Sequence, residues 1–219
     1  MKRLLMVFAL TLAVATVMAP VSASSALYTD RAAWEAAVGS FGSVILPQAA
    51  GTTLDDYASI ALPGGGFFNF DQDLARLSYP SGGWATWNPS GTTVELLYWN
   101  QSSTLNASFY PGGIGGPVSA FGFEMEPEHF DVFNISLYLA GTGGDMITQA
   151  VNGDGGAKFF GWAGESVIGF SAWSAAGSNG FAMGRFVEGT AAVPEPGTIL
   201  LLGSGLVGLV GYRRMRRMM

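Results

Sequence analysis

Short apolar runs separated by glycine-rich turns make up most of the chain beyond Phe41. Residues 63–66 and 141–144 are typical of these turn signals. Over residues 133–139 apolar and polar side chains alternate, which is the period of a strand with one buried face. Many short strands with regular turns predict a mainly β fold, either an antiparallel sandwich or a barrel. The predicted strands are 66–70, 92–99, 105–110, 118–125, 133–140, 146–151, 157–162, 166–173 and 180–187.

One short helix is predicted ahead of these strands, over residues 28–39. Thr29 or Asp30 can cap it, four alanines favour it, and the glycine at its end can stop it. Trp34 and Val38 are four residues apart and therefore share a face, which we expect to pack on the main body.

The N-terminus has the pattern of a secretory signal peptide. Lys2 and Arg3 precede an apolar stretch at 4–19, and small residues follow at 21–26. Cleavage after Ala23 or after Ala26 fits the small-residue pattern, and Ala23 is preferred. The sequence therefore predicts a signal peptide at 1–23, with a retained N-terminal anchor as the alternative.

The C-terminal segment combines a Pro-Glu-Pro motif, an apolar run at 198–212 and a basic tail. Fifteen helical residues reach only about 22 Å, which is short against a hydrocarbon core of about 30 Å. The positive flank should remain cytoplasmic. Prolines exclude a helix running in from upstream, so the motif should be an extended strip that a protease can bind. The residues are Val193, Pro194, Glu195 and Pro196, followed in the tail by Arg213, Arg214, Arg216 and Arg217.

This order of motif, short transmembrane helix and arginine cluster resembles the PEP-CTERM sorting signal of Gram-negative bacteria. The resemblance implies recognition by an exosortase, with cleavage near the Pro-Glu-Pro motif. It also implies a temporary inner-membrane intermediate, followed by the cell surface or the extracellular matrix. The predicted domains are a signal peptide at 1–23, an ectodomain at 24–190 and the sorting signal at 191–219.

The ectodomain also resembles the jelly-roll β-sandwiches that often carry this signal. The likeness covers 119–124 and 180–186, two strands that pair across the sandwich in those proteins. Gly184 and Arg185 stand where that family has an acidic pair, which puts a shared ion site there in doubt. The expected fold is a jelly-roll-like β-sandwich with one short N-terminal helix, flanked by a signal peptide helix and a C-terminal transmembrane helix.

The charge of the ectodomain is hidden by the two basic ends of the chain. The ectodomain has four basic residues against fifteen acidic ones, a net charge of −11, whereas the whole chain has −6. An acidic surface argues against nucleic acid as a partner and favours neutral glycans or divalent cations. The chain has no cysteine, so no disulfide holds the fold.

The densest polar cluster contains Glu124, Glu126, Glu128, His129 and Asp131. The three glutamates have strand spacing and would share one face. Several carboxylates could hold Ca²⁺. A solvated strand end that enters a loop is the preferred interpretation, so we expect no metal and no cofactor.

No other pattern indicates catalysis. His129 is the only histidine, the ectodomain has no Gly-x-Ser-x-Gly motif, and cysteine chemistry is excluded. Residues 152–155 lack the acidic spacing of a calcium loop, and they predict a hairpin turn. A carboxylate pair for glycoside hydrolysis stays open, because such pairs come from distant strands.

Aromatic residues crowd the region from 79 to 110, where Trp84 and Trp87 flank a glycine-rich loop. Most of these rings should fill the core, but Trp84 and Trp87 are the best candidates for exposed glycan contacts. The sequence thus predicts an exported, non-enzymatic surface or matrix protein associated with exopolysaccharide. The alternatives are a carbohydrate-binding module, a glycan-active hydrolase and a permanently anchored periplasmic protein.

Overall fold

Two antiparallel sheets pack face to face. The structure, a computed structural model, describes residues 26–47, 50–55, 58–80, 82–87, 93–101, 103–110, 118–141 and 144–191. The large sheet has the spatial order β1 (Ala26–Tyr28), β12 (Lys158–Val167), β9 (Val118–Pro127), β14 (Phe181–Ala191), β7 (Val94–Trp99), β6 (Leu74–Tyr79), β3 (Thr53–Leu54). An eighth strand, β2 (Val38–Ser43), lies outside this order and pairs with β14. The small sheet has the order β11 (Met146–Asn152), β10 (Val132–Ala140), β13 (Gly169–Ser174), β8 (Leu105–Tyr110), β5 (Phe67–Phe70), β4 (Ile60–Ala61).

The mainly β, antiparallel prediction is confirmed, and each of the nine predicted strands overlaps a strand of the structure. The sequence pattern did not predict β1, β2, β3, β4 and β6. β14 continues to Ala191, one residue beyond the predicted end of the ectodomain. The predicted signal peptide and transmembrane helix lie outside the described residues. Within those residues no helix is long and apolar enough to cross a bilayer.

Aromatic side chains fill the space between the sheets. Phe121 and Phe123 point inward from β9 and meet rings of the small sheet. The Phe121 ring lies 5.1 Å from that of Phe109, and the Phe123 ring lies 5.0 Å from that of Phe170. Close tilted and edge-on contacts of this kind add to the large apolar area that aromatic residues bury.

The single helix of the described residues, α1 (Arg31–Ala37), covers part of the outer face of the large sheet. Asp30 caps it by accepting a hydrogen bond from the Ala33 N–H at 2.8 Å. Trp34 is buried and donates its indole N–H to the Trp162 carbonyl at 2.8 Å. The helix is shorter than the predicted 28–39 because strand pairing claims both flanks: β1 pairs with β12 and β2 pairs with β14.

Candidate functional site

The glutamates of β9 lie on the outer face of the large sheet. Phe123 and Met125 point into the core, so the alternation of the strand places Glu124 and Glu126 on the opposite side. Glu124 is only 7% exposed and Glu126 is fully buried. The expected solvated strand end is therefore wrong for these two residues, because a loop and a helix cover them.

Glu126 is held by neutral donors. One carboxylate oxygen accepts the indole N–H of Trp84 at 2.7 Å. The other accepts the backbone N–H groups of Gly155 at 3.0 Å and Gly156 at 3.1 Å. Burial raises the pKa of Glu126, and these hydrogen bonds to the charged form oppose that rise.

Glu124 sits between two arginines and a tryptophan. Its Oε1 accepts Arg31 Nε at 3.1 Å and Arg185 Nη1 at 2.9 Å, and its Oε2 accepts the Trp87 indole N–H at 3.2 Å. Burial lowers the pKa of Arg31, Glu124 counteracts this, and the neighbouring Arg185 lowers it further. Charge pairing thus compensates for the burial of this carboxylate.

Glu128 follows the strand end and is half-buried. It accepts hydrogen bonds from the Tyr98 hydroxyl at 2.6 Å and from the Asn179 amide. Burial, together with the bond to Glu128, raises the pKa of Tyr98. His129 and Asp131 are exposed, as expected of a strand end that enters a loop.

The glutamate row does not act as a shared cation site in this arrangement. Each carboxylate binds its own set of donors, and the donors of Glu124 include two guanidinium groups. Among the residues that the structure describes, no group of three His, Asp or Glu side chains could hold a metal ion.

The expectation that Trp84 and Trp87 are exposed is wrong. Trp84 is 5% exposed and Trp87 is fully buried, and both pack with Val94, Leu96 and Ala182 on the outer face of the large sheet. Their indole N–H groups point at the glutamate row. Neither ring face is therefore available to stack on a sugar in this conformation. The sequence offered no sign of these contacts, because 37 residues separate Trp87 from Glu124.

The turn at 152–155 helps to build this site. Asn152 Oδ1 accepts the Asp154 N–H at 3.0 Å, and the Gly156 N–H donates to the Asn152 carbonyl at 3.1 Å. A tight turn is present, but the predicted hairpin is wrong, because the turn joins strands of different sheets: β11 belongs to the small sheet and β12 to the large sheet. The turn thereby brings its N–H groups to Glu126.

A cleft opens beside this site, between β2 and β7, where the edge of β14 is uncovered. Its volume is about 500 Å³. Arg185 lines the cleft at an irregularity of β14, with a φ of 52°, which is rare for a residue with a side chain. Arg185 lies within residues 180–186, one of the two segments that resemble the jelly-roll proteins. Residues lining the cleft include Arg31, Glu35, Phe41, Ile45, Glu95 and Arg185.

The sorting residues lie outside the described residues, and comparison with known protein families places them. Residues 192–217 match the PEP-CTERM protein-sorting motif. The chain carries a PEP-CTERM sorting domain. The match includes the predicted motif residues Val193, Pro194, Glu195 and Pro196 and the basic tail Arg213, Arg214, Arg216 and Arg217. No curated protein matches the chain.

The PEP-CTERM domain implies an exosortase as the processing partner. It also implies export through a membrane-anchored intermediate to the cell surface. The matched segment begins at residue 192, directly after β14 ends at Ala191. In the sequence, the matched segment therefore follows a central strand of the large sheet directly.

Proposed function

We propose that this PEP-CTERM protein is a non-enzymatic component of the cell surface or extracellular matrix that associates with exopolysaccharide. The observation that carries the proposal is the attachment of the sorting motif to a folded β-sandwich. The buried carboxylates of that sandwich, Glu124 and Glu126, already bind other groups of the protein. The motif supplies the route, and the sandwich is the part delivered.

The contacts of the glutamate row support a non-enzymatic role. Hydrolysis of a glycosidic bond needs two carboxyl groups that face one cleft, roughly 5–10 Å apart. Glu126 is buried beneath Trp84, and Glu124 is bound by Arg31 and Arg185. Both carboxylates stabilise the covering loop and helix in this arrangement, which leaves neither oriented toward a substrate.

The short connection between fold and motif supports processing close to the membrane. From Ala191 to Glu195 the chain has four residues, which span at most about 14 Å when fully extended. The C-terminal end of β14 must therefore lie near the enzyme that binds the motif. Release from the bilayer would then depend on cleavage near the motif.

The first experiment follows the full chain in an exporting host with an exosortase. The variant Pro194→Ala/Glu195→Ala is compared with the wild type and with Glu35→Ala, a control that removes an acid outside the motif. We expect the wild type and the control to lose their C-terminal segment and to co-purify with exopolysaccharide. The motif variant should keep its full mass in the inner membrane. Intact mass spectrometry and cell fractionation measure both outcomes.

The outcomes separate the alternatives. An intact wild type in the inner membrane would favour a permanently anchored periplasmic protein. A processed protein that leaves the cell free of polysaccharide would refute the matrix association alone. Release of reducing sugars from the purified polysaccharide would identify a hydrolase and overturn the non-enzymatic proposal.

A further inference from the structure

The six strands of the small sheet contain no Asp, Glu, Lys, Arg or His. Among the strands, charged residues occur only in the large sheet, for example Arg76, Glu95, Lys158 and Glu188. The ectodomain has a net charge of −11, so this segregation leaves the strands of one sheet uncharged within an acidic protein. The inner side of the small sheet is the core, and its outer side is available to a partner.

Alternation along the strands decides which residues form that outer side. Leu137 and Leu139 of β10 are buried in the core, whereas Tyr138 between them is 39% exposed. Tyr138 pairs with Ser171 of β13, and Ser171 pairs with Asn106 of β8. The adjacent row joins Thr148, Ser136 and Trp173. We call this surface the neutral face; it consists of Asn106, Tyr138, Thr148, Ser171 and Trp173, together with Ser136, which is only 7% exposed.

Hydrogen bonds fix the polar groups of the neutral face. The Ser171 hydroxyl donates to Asn106 Oδ1 at 2.6 Å, and Asn106 Nδ2 donates to Asp71 at 2.7 Å. The hydroxyls of Ser136 and Thr148 are 2.8 Å apart. Asp71 lies just after β5 and thus borders the face. The amide and hydroxyls therefore keep set orientations, which lowers the entropy cost of binding a polar ligand.

Two aromatic rings accompany these groups. Tyr138 and Trp173 lie on adjacent strands, with Trp173 two residues along β13 from the partner of Tyr138. Aromatic side chains can reach across this diagonal spacing, so both rings can contact the same extended ligand. Sugar rings present apolar C–H faces with hydroxyls around their rims. Flat rings beside fixed amides and hydroxyls match both features without any charge.

We infer that the neutral face binds a neutral polysaccharide strand. An acidic polymer would find no cation on these strands and would meet an ectodomain of net charge −11. A neutral polymer carries no such penalty, and its hydroxyls match the hydrogen-bonding groups of the face. This inference rests on the proposed association with exopolysaccharide, and it assigns the contact to the small sheet instead of the Trp84–Trp87 loop.

Affinity electrophoresis of the full chain in mild detergent tests the inference. Native gels contain a neutral polymer (hydroxyethylcellulose, galactomannan or dextran) or an acidic one (alginate or polygalacturonate). We expect retardation by at least one neutral polymer and none by the acidic polymers. Tyr138→Ala and Trp173→Ala should each weaken binding about tenfold, because each removes one stacking ring. Tyr138→Phe keeps the ring and should retain most of the affinity.

Phe41→Ala is the matched control, because Phe41 is a half-exposed aromatic residue on the large sheet. It should leave retardation unchanged. Thermal unfolding of each variant separates lost binding from lost folding, and Tyr138→Ala decides the question if Trp173→Ala fails to fold. The inference is overturned if no neutral polymer retards the wild type, or if Tyr138→Ala binds as well as Phe41→Ala.

The same variants distinguish this inference from the proposed function. If Tyr138→Ala is still retained in the host exopolysaccharide, the neutral face is wrong while the matrix association stands. If the wild type is processed but never retained, the matrix association itself fails. Concentration-dependent dimerisation that Tyr138→Ala abolishes, without polymer retardation, would show that a second copy of the chain covers the face and would overturn the inference.

Discussion

Trp84 donates its indole N–H to the carboxylate of Glu126 over 2.7 Å, and both side chains are buried on the outer face of the large sheet. The ring covers apolar residues of that face while its N–H supports a buried acid. One residue thus contributes packing and polar compensation together, which ties a surface loop to a central strand across 42 residues of sequence.

This pair predicts a specific cost for removing the indole N–H. Trp84→Phe should lower the free energy of unfolding by about 1–3 kcal/mol beyond its loss of volume, because a buried carboxylate loses a donor. Trp99→Phe is the control, since its N–H donates at 3.2 Å to the neutral carbonyl of Ser103. Denaturant unfolding measures both variants. Equal losses of unfolding free energy in the two variants would mean that the hydrogen bond to Glu126 contributes no more than a hydrogen bond to a neutral carbonyl.

The pKa of Glu126 predicts how stability depends on pH. Burial raises this pKa above the usual value of 4.5, so the folded state holds the proton more tightly than the unfolded state. The contribution is fully present below about pH 4.5 and is lost as pH rises through the folded-state pKa. Glu126→Gln removes this titration, although its amide opposes a donor and should cost about 1–3 kcal/mol. The stability difference between wild type and variant should therefore shrink as pH rises, and a constant difference would contradict the assignment.

The backbone conformation of Arg185 predicts an unusual order of stability among variants at this position. Its φ of 52° favours glycine, so Arg185→Gly should be more stable than Arg185→Ala by about 1 kcal/mol, although both lose the ion pair with Glu124. Arg31 binds the same carboxylate from a helix, where glycine is the worse residue. Arg31→Gly should therefore not exceed Arg31→Ala in stability. Thermal unfolding of the four variants measures both orders, and the same order at both positions would exclude backbone conformation as the cause.

The close approach of Gly122 to the Phe159 ring predicts that substitutions at these two positions are coupled. Gly122 and Gly161 pair directly, and a Cβ on Gly122 would lie 2.3 Å from the ring of Phe159. Gly122→Ala should destabilise the fold by about 1–3 kcal/mol through overpacking. Phe159→Ala removes the clash, so the double variant should be more stable than the sum of the single effects implies. Additive effects in a double-mutant cycle would show that the ring moves aside without cost.

Local pattern was sufficient for the elements whose signals lie within a few residues. The alternation in β10, the glycine-rich turn at 63–66 and the Asp30 cap depend on backbone geometry and immediate neighbours, and the structure contains each of them. β6 was missed because Arg76 interrupts its apolar run. That arginine is fully buried, and it donates to the Leu96 carbonyl at 3.0 Å and to Glu95 at 2.7 Å. These two partners belong to β7, and no pattern near Arg76 in the sequence identifies β7 as the neighbouring strand.

The sequence by itself determined the β-rich class and the sorting address, because strand periodicity is local and the motif is a covalent order of residues. Tertiary structure alone decided that Trp84 and Trp87 are buried, that Glu124 and Glu126 are covered, and that the uncharged strands share one sheet. β14 pairs with β9 and β7, strands that begin 63 and 87 residues earlier in the chain. Which side chains meet solvent depends on such long-range pairings, and only the folded chain brings them together.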